Sequence, residues 1–206
     1  MKIGIDFDNT IACYDGVFHQ LAVERGLIPE SFSTGKDDVR DYLRSINKED
    51  LWTEMQGFIY GPGIDRASMF IGFTSFILSC REKGIDLVIV SHKTRSPFRG
   101  PKYDLHESAK NWLGKNNFFK SVAENGLGFK EEDAFFELTK EEKCARIAKE
   151  KCDVFIDDLP EILTDTCFPN FVRKILFKPS ASENFIAPEG IESFSSWNVL
   201  KDHLLT

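Results

Sequence analysis

Residues 2–10 run Lys2-Ile3-Gly4-Ile5-Asp6-Phe7-Asp8-Asn9-Thr10. The stretch 2–6 is short, apolar and β-branched, the pattern of a central strand covered on both faces. It ends on two aspartates one residue apart. In extended backbone, residues i and i+2 project the same way, with α-carbons about 6–7 Å apart. Asp6 and Asp8 should therefore leave the carboxyl end of the strand together, with Phe7 turned into the packing.

Four further runs repeat the strand pattern: 86–90 (DLVIV), 133–137 (DAFFE), 153–157 (DVFID) and 173–177 (RKILF). Gly84 ahead of the first is a helix stop. Helical patterns fall between the strands. Asp104 with Glu107, and Thr139 with Glu142, are capping-box starts, and Leu105, Ala109, Trp112 and Leu113 share one face. Strands alternating with helices imply an α/β fold: a three-layer, Rossmann-like core with a central parallel sheet.

The stretch 14–73 breaks this alternation. Val39, Tyr42, Leu43 and Ile46 recur at helical spacing; Leu51, Trp52, Met55, Phe58 and Ile59 continue it, and Gly61-Pro62-Gly63 ends it. The expected organisation is a core of residues 1–13 and 74–206 with a small helical cap at 14–73. An insertion directly after the first strand belongs near the sheet's carboxyl edge, where open α/β proteins bind ligands. Additional core-packing helices are the alternative.

Composition bounds the partners. Of 206 residues, 42% are apolar and 29% charged, with 19 Phe and 3 Trp, enough to build a core and exclude disorder as the main state. The net charge of −7, from 26 basic and 33 acidic residues, argues against a nucleic-acid polymer as partner. No apolar run approaches the roughly 20 residues of a membrane span, and a charge by residue 6 speaks against a leader or anchor. Five cysteines without a C-x-x-C pair point to reduced thiols and a cytoplasmic setting.

Asp157-Asp158 ends the run DVFID as Asp6 ends the first strand. Parallel strands bring their carboxyl ends together, so four carboxylates should meet in one crevice. At ~7 Å each pair repels by about 0.6 kcal/mol in water and about 2.4 kcal/mol at an effective dielectric of 20. A cation would relieve this, and oxygen donors without His or Cys favour Mg²⁺. Ser91 follows DLVIV into the same crevice. Lys143 sits in the first turn of the Thr139-capped helix, where free N–H groups favour an anion. Nucleophile, metal, hydroxyl, ammonium and helix terminus together describe a phosphoryl site.

These residues resemble the haloacid dehalogenase superfamily, whose phosphatases carry D-x-D-x-T. Asp6, Asp8 and Thr10 match the first motif, Ser91 the second, Lys143 the third, and Asp157 with Asp158 the fourth. The resemblance implies that Asp6 attacks phosphorus and becomes an aspartyl-phosphate, and that Asp8 protonates the leaving oxygen and later takes a proton from water. It implies Mg²⁺ bound by Asp6, Asp157 and the main-chain carbonyl of Asp8, with Asp158 orienting a metal-bound water. Thr10, Ser91 and Lys143 would hold the loop and the phosphoryl group. Lys140 lies near the third motif too; the fourteen-residue separation from Asp157 favours Lys143.

After Ser91 comes a loop rich in Gly, Pro and basic residues, with His92, Lys93 and Arg95 as candidate substrate contacts; a solvated surface loop is the alternative. The pattern is similar to small bacterial hydrolases of this superfamily linked to carbohydrate metabolism, and the insertion resembles the cap of deoxyribonucleotidases. The expected function is a Mg²⁺-dependent phosphatase of a small phosphorylated metabolite, a sugar or polyol phosphate favoured. A nucleoside monophosphatase is the runner-up and a phosphomutase a further alternative.

Overall fold

The computed structural model describes residues 1–179 and 185–206. In chain order the elements are β1 (Lys2–Ile5), β2 (Ala12–Cys13), α1 (Val17–Glu24), α2 (Lys36–Ser45), α3 (Glu49–Tyr60), β3 (Ser68–Met69), α4 (Phe73–Glu82), β4 (Asp86–His92), α5 (Leu105–Lys115), β5 (Ala134–Glu137), α6 (Lys140–Lys149), β6 (Val154–Asp157), α7 (Pro160–Leu163), β7 (Arg173–Phe177), β8 (Glu192–Phe194) and α8 (Trp197–Leu205). They form two compact units. Met1–Ala12, Met69–Lys93 and Leu113–Thr206 make the first; Cys13–Ser68 and Thr94–Trp112 make the second.

The first unit holds a parallel sheet of order β5-β4-β1-β6-β7-β8. β1 lies in the middle, with Ile5 opposite Ile89 of β4 on one side and Ile156 of β6 on the other. The chain moves outward from β1 through β4 to β5, then returns to β1's other flank with β6. Strand order reverses at β1, so the crevice at its carboxyl end is the ligand position expected of open α/β sheets.

Side-chain alternation supplies the two covered faces. Val88, Val90, Phe155 and Leu176 pack with Cys144 and Ile147 of α6 and Ile162 and Leu163 of α7. The opposite face is aromatic: the Trp197 ring of α8 lies 5.0 Å from Phe177 of β7 and 5.0 and 4.9 Å from Phe73 and Phe76 of α4. Each ring so buried contributes roughly 1.5–3 kcal/mol. Gly4 has a steric reason, because a Cβ there would stand 2.5 Å from Phe155 Cδ2 and 2.9 Å from Cys152 Sγ.

The five expected strands are present with ends shifted by at most two residues. β4 runs on to His92 because Ser91 and His92 still pair with Phe136 and Glu137 of β5. β8 was not anticipated, since Glu192-Ser193-Phe194 carries no apolar run. Both capping boxes mark real starts. Thr139 accepts from Glu142 N while the Glu142 side chain accepts from Thr139 N, and Asp104 Oδ1 accepts from His106 N and Glu107 N. The expectation of reduced thiols throughout is corrected: Cys144 and Cys167 are joined as a disulfide, Cα atoms 5.9 Å apart, while Cys13, Cys80 and Cys152 are free. α6 and the turn after α7 cover the same sheet face, which brings together two cysteines 23 residues apart.

The second unit contains α1, α2 and α3. Phe18 stacks on Trp52 at 4.6 Å, and Tyr14 meets Tyr60 edge-on at 5.1 Å. Trp52 and Met55 are thus core residues, while Gln56 and Tyr60 are half-buried. The segment Thr94–Trp112 joins this unit, beyond the 14–73 boundaries read from the sequence. Pro97 packs on Gly57 so closely that a Cβ there would lie 2.7 Å from it, and Trp112 Nε1 donates to Ala67 O at 3.0 Å. Among the described residues no helix is long and apolar enough to cross a membrane.

Candidate active site

Register alone sets the first two carboxylates side by side. Asp6 and Asp157 each follow the paired residues Ile5 and Ile156, and Asp6 N donates to Ile156 O at 2.9 Å. By alternation both side chains leave the sheet on the face that Gly4 and Phe155 share, which is the face covered by α6. Lys143 rises from the first turn of α6 to meet them. Its Nζ lies 2.6 Å from Asp6 Oδ1 and 2.6 Å from Asp157 Oδ2. All three side chains are buried. Lys140 lies one turn earlier on α6 and is half-exposed.

Asp158 completes an acidic cluster. One oxygen each from Asp6, Asp157 and Asp158 lie within 4.8 Å of one another. Repulsion at that distance is on the order of 3 kcal/mol per ionised pair at an effective dielectric of 20. Burial raises the Asp6 carboxyl from its ordinary value to about 7; Lys143 pulls it down, and Asp157 and Asp8 push it up. Burial alone would lower the Lys143 pKa, but Asp157 and Asp6 together outweigh it and the net shift is upward. Burial thus decides the direction for Asp6, and the two flanking carboxylates decide it for Lys143.

Asp8 takes a different partner. Its Oδ2 accepts from Lys93 Nζ at 2.6 Å, and its charge still acts on Asp6. The turn that carries it is short: Ile11 N and Ala12 N both donate to Phe7 O, and Asn9 adopts φ 56°, a left-handed conformation that Asn tolerates. Thr10 is fully buried. Its carbonyl accepts from Trp197 Nε1 at 3.1 Å, while its Oγ1 has no hydrogen-bond partner. Ser91 is buried in β4, beside β1.

Asp6 and Asp157 share the Lys143 ammonium, and Asp8 pairs with Lys93. Three carboxylate oxygens with no imidazole or thiolate among them are hard donors suited to Mg²⁺. The donor set therefore fits the ion, with Asp6 and Asp157 among the side chains that would hold it and Asp158, expected to act through a metal-bound water, in the same cluster.

The remaining candidates are distributed differently. His92 Nε2 donates to Leu138 O at 3.1 Å, and burial lowers its pKa. Arg95 belongs to the second unit, where it pairs with Asp104 at 3.1 Å and is 70% exposed. The Asp8–Lys93 pair was missed in the sequence. Its one visible signal is the placement of Lys93 two residues past Ser91, on the continuation of β4.

No protein-family model matches the sequence, and neither does any curated protein. Solved structures do match. A haloacid-dehalogenase-superfamily hydrolase from Ehrlichia chaffeensis superposes with a TM-score of 0.55 at 12% identity, over 98% of this chain and 94% of that one. A β-phosphoglucomutase from the archaeon Pyrococcus sp. strain ST 04 gives 0.55 at 16% identity, over 99% and 96%. A haloacid-dehalogenase-like hydrolase from Xanthomonas campestris gives 0.52 at 9% identity, over 99% and 94%. Near-complete coverage of both chains carries the likeness across the whole sheet and its helices, and the fold of this chain is that of the haloacid dehalogenase superfamily.

Proposed function

We propose that this chain is a Mg²⁺-dependent phosphatase that hydrolyses a small phosphate monoester, a sugar or polyol phosphate in preference to a nucleotide, through an aspartyl-phosphate on Asp6. One observation carries the reading: Lys143 bridges Asp6 and Asp157 at the strand-order reversal, with Asp158 in the same cluster. Such a buried excess of carboxylates is costly for stability alone.

Asp6 attacks phosphorus as the ester P–O bond breaks, and Asp8 gives its proton to the departing alkoxide. Asp8 then takes a proton from water, whose oxygen attacks phosphorus as the P–O bond to Asp6 breaks. Inorganic phosphate leaves, and both aspartates return to their starting states. Lys143 neutralises the transferring oxygens, while the buried hydroxyls of Thr10 and Ser91 steady the loop and the phosphoryl group. Mg²⁺, when held by these carboxylates, would supply charge neutralisation for an entering phosphate dianion. The helical second unit is entered directly from the loop that carries Asp8, and we read it as the cap that favours small substrates.

A panel of about one hundred monoesters assayed for phosphate release with Mg²⁺ tests the reading. Turnover should be highest on sugar or polyol phosphates and should stop with EDTA. Equal or better turnover of nucleoside monophosphates would shift the choice to a nucleotidase, and indifference to chelation would remove the metal. The likeness to a β-phosphoglucomutase keeps a mutase as the second reading; isomerised product without free phosphate would select it.

A further inference from the structure

Lys93 is as deeply enclosed as the site's other lysine, yet it serves a different aspartate. Its side chain is 3% exposed, and its Nζ meets Asp8 Oδ2 at 2.6 Å across 85 residues of sequence. The same Nζ stands 5.5 Å from the centroid of the Phe7 ring. Its backbone is fixed as well, with Lys93 N donating to Glu137 O at 2.8 Å. The Glu137 side chain accepts from Arg146 Nε of α6 at 2.7 Å. The ammonium is thus presented from a braced strand end.

Lysine is almost never fully buried unless paired, and ordering its side chain costs rotamer entropy. A buried ion pair gives little net stability over apolar side chains of equal volume; what it does give is fixed geometry. Asp8 needs that geometry. It lies in a turn beyond the sheet, and a proton donor displaced by about 1 Å can lose 10²-fold in rate.

We infer that Lys93 is a positioning residue, which clamps the Asp8 carboxylate in the orientation used for proton transfer, and that it does not grip the substrate. The inference rests on the phosphatase reading and assigns a second lysine to it. No bond to Lys93 forms or breaks: the proton moves from Asp8 to the leaving oxygen and returns to Asp8 from water, while the Lys93 ammonium keeps all of its protons.

The test is a double-mutant cycle on the full chain with glycerol phosphate, whose alkoxide leaving group needs a proton, and Mg²⁺. Lys93→Met should lower kcat by roughly 10- to 100-fold and leave KM within about threefold of wild type. In an Asp8→Asn background the same substitution should cost less than about threefold more, because its effect passes through Asp8. Lys93→Arg, which keeps the charge, should recover part of the loss. Should Lys93→Met not fold, Lys93→Gln carries the same measurement. A raised KM with unchanged kcat, or an equal loss with and without the Asp8 carboxylate, overturns the assignment and leaves the phosphatase intact. A wild type that releases phosphate neither from this ester nor from the metabolite panel defeats the phosphatase itself, and this inference with it.

Discussion

In the first unit Lys143 and Asp157 are enclosed by protein, 2% and 0% exposed; in the second, Arg44 meets Glu49 with half of each side chain in water. Arg40 likewise reaches Asp37 and Asp41 on the open side of α2. Water and salt screen the exposed pairs, which contribute little to stability. The enclosed group has no such screening, so each member depends on the others for its charge state. Ion pairs that look alike in sequence therefore do opposite work. The Arg44–Glu49 pair is shared with water, while at the end of β1 one buried ammonium serves two buried carboxylates.

The comparison breaks most visibly at Asp6. Asp6→Asn should fold and yet lower phosphate release on the order of 10⁴-fold. Wild-type turnover from that variant removes the nucleophile. Lys143→Met should follow, since it leaves Asp6 and Asp157 facing each other without compensation. The expected loss is about 3–5 kcal/mol, seen as a fall of roughly 10 °C or more in the thermal midpoint. A midpoint unchanged within error would mean that the cluster is already solvated.

A third outcome concerns pH. The Asp6 carboxyl titrates near 7 in the folded chain, against 3.8 for an ordinary aspartate. The folded state then binds more protons than the unfolded state between those values, so this contribution to stability is present at low pH and is lost as pH rises toward 7. In EDTA, wild type should lose thermal midpoint relative to Asp6→Asn between about pH 5 and pH 8. Saturating Mg²⁺ should flatten that difference. A gap independent of pH contradicts the burial of an excess negative charge. The smallest expected effect is on the other side of the comparison: Arg44→Ala should give no resolvable shift in midpoint, and a clear loss would show that the surface pairs were undervalued.

Much of this was legible in residues 2–10 and 153–158, because a buried strand's length and its terminal aspartates are local signals. Lys143 was legible too, since the Thr139–Glu142 box fixes where its helix begins. Four features were not. The Asp8–Lys93 pair and the Cys144–Cys167 bridge join segments whose proximity depends on sheet order, which periodicity does not encode. The attachment of 94–112 to the helical unit depends on contacts such as Pro97 against Gly57, made by residue types that mark turns everywhere. β8 is three residues long and too polar to stand out from a loop.

The ladder of β1 has a kinetic corollary. Its edges zip to partners that begin at Asp86 and Val154, and neither flank is a local hairpin. Closing such distant loops precedes any reward from the contacts, which slows folding. Lys143 and Asp6, 137 residues apart, cannot meet until both crossovers have closed. The buried Lys143–Asp6–Asp157 group therefore forms only as the sheet itself closes, and its burial should track completion of the sheet during refolding.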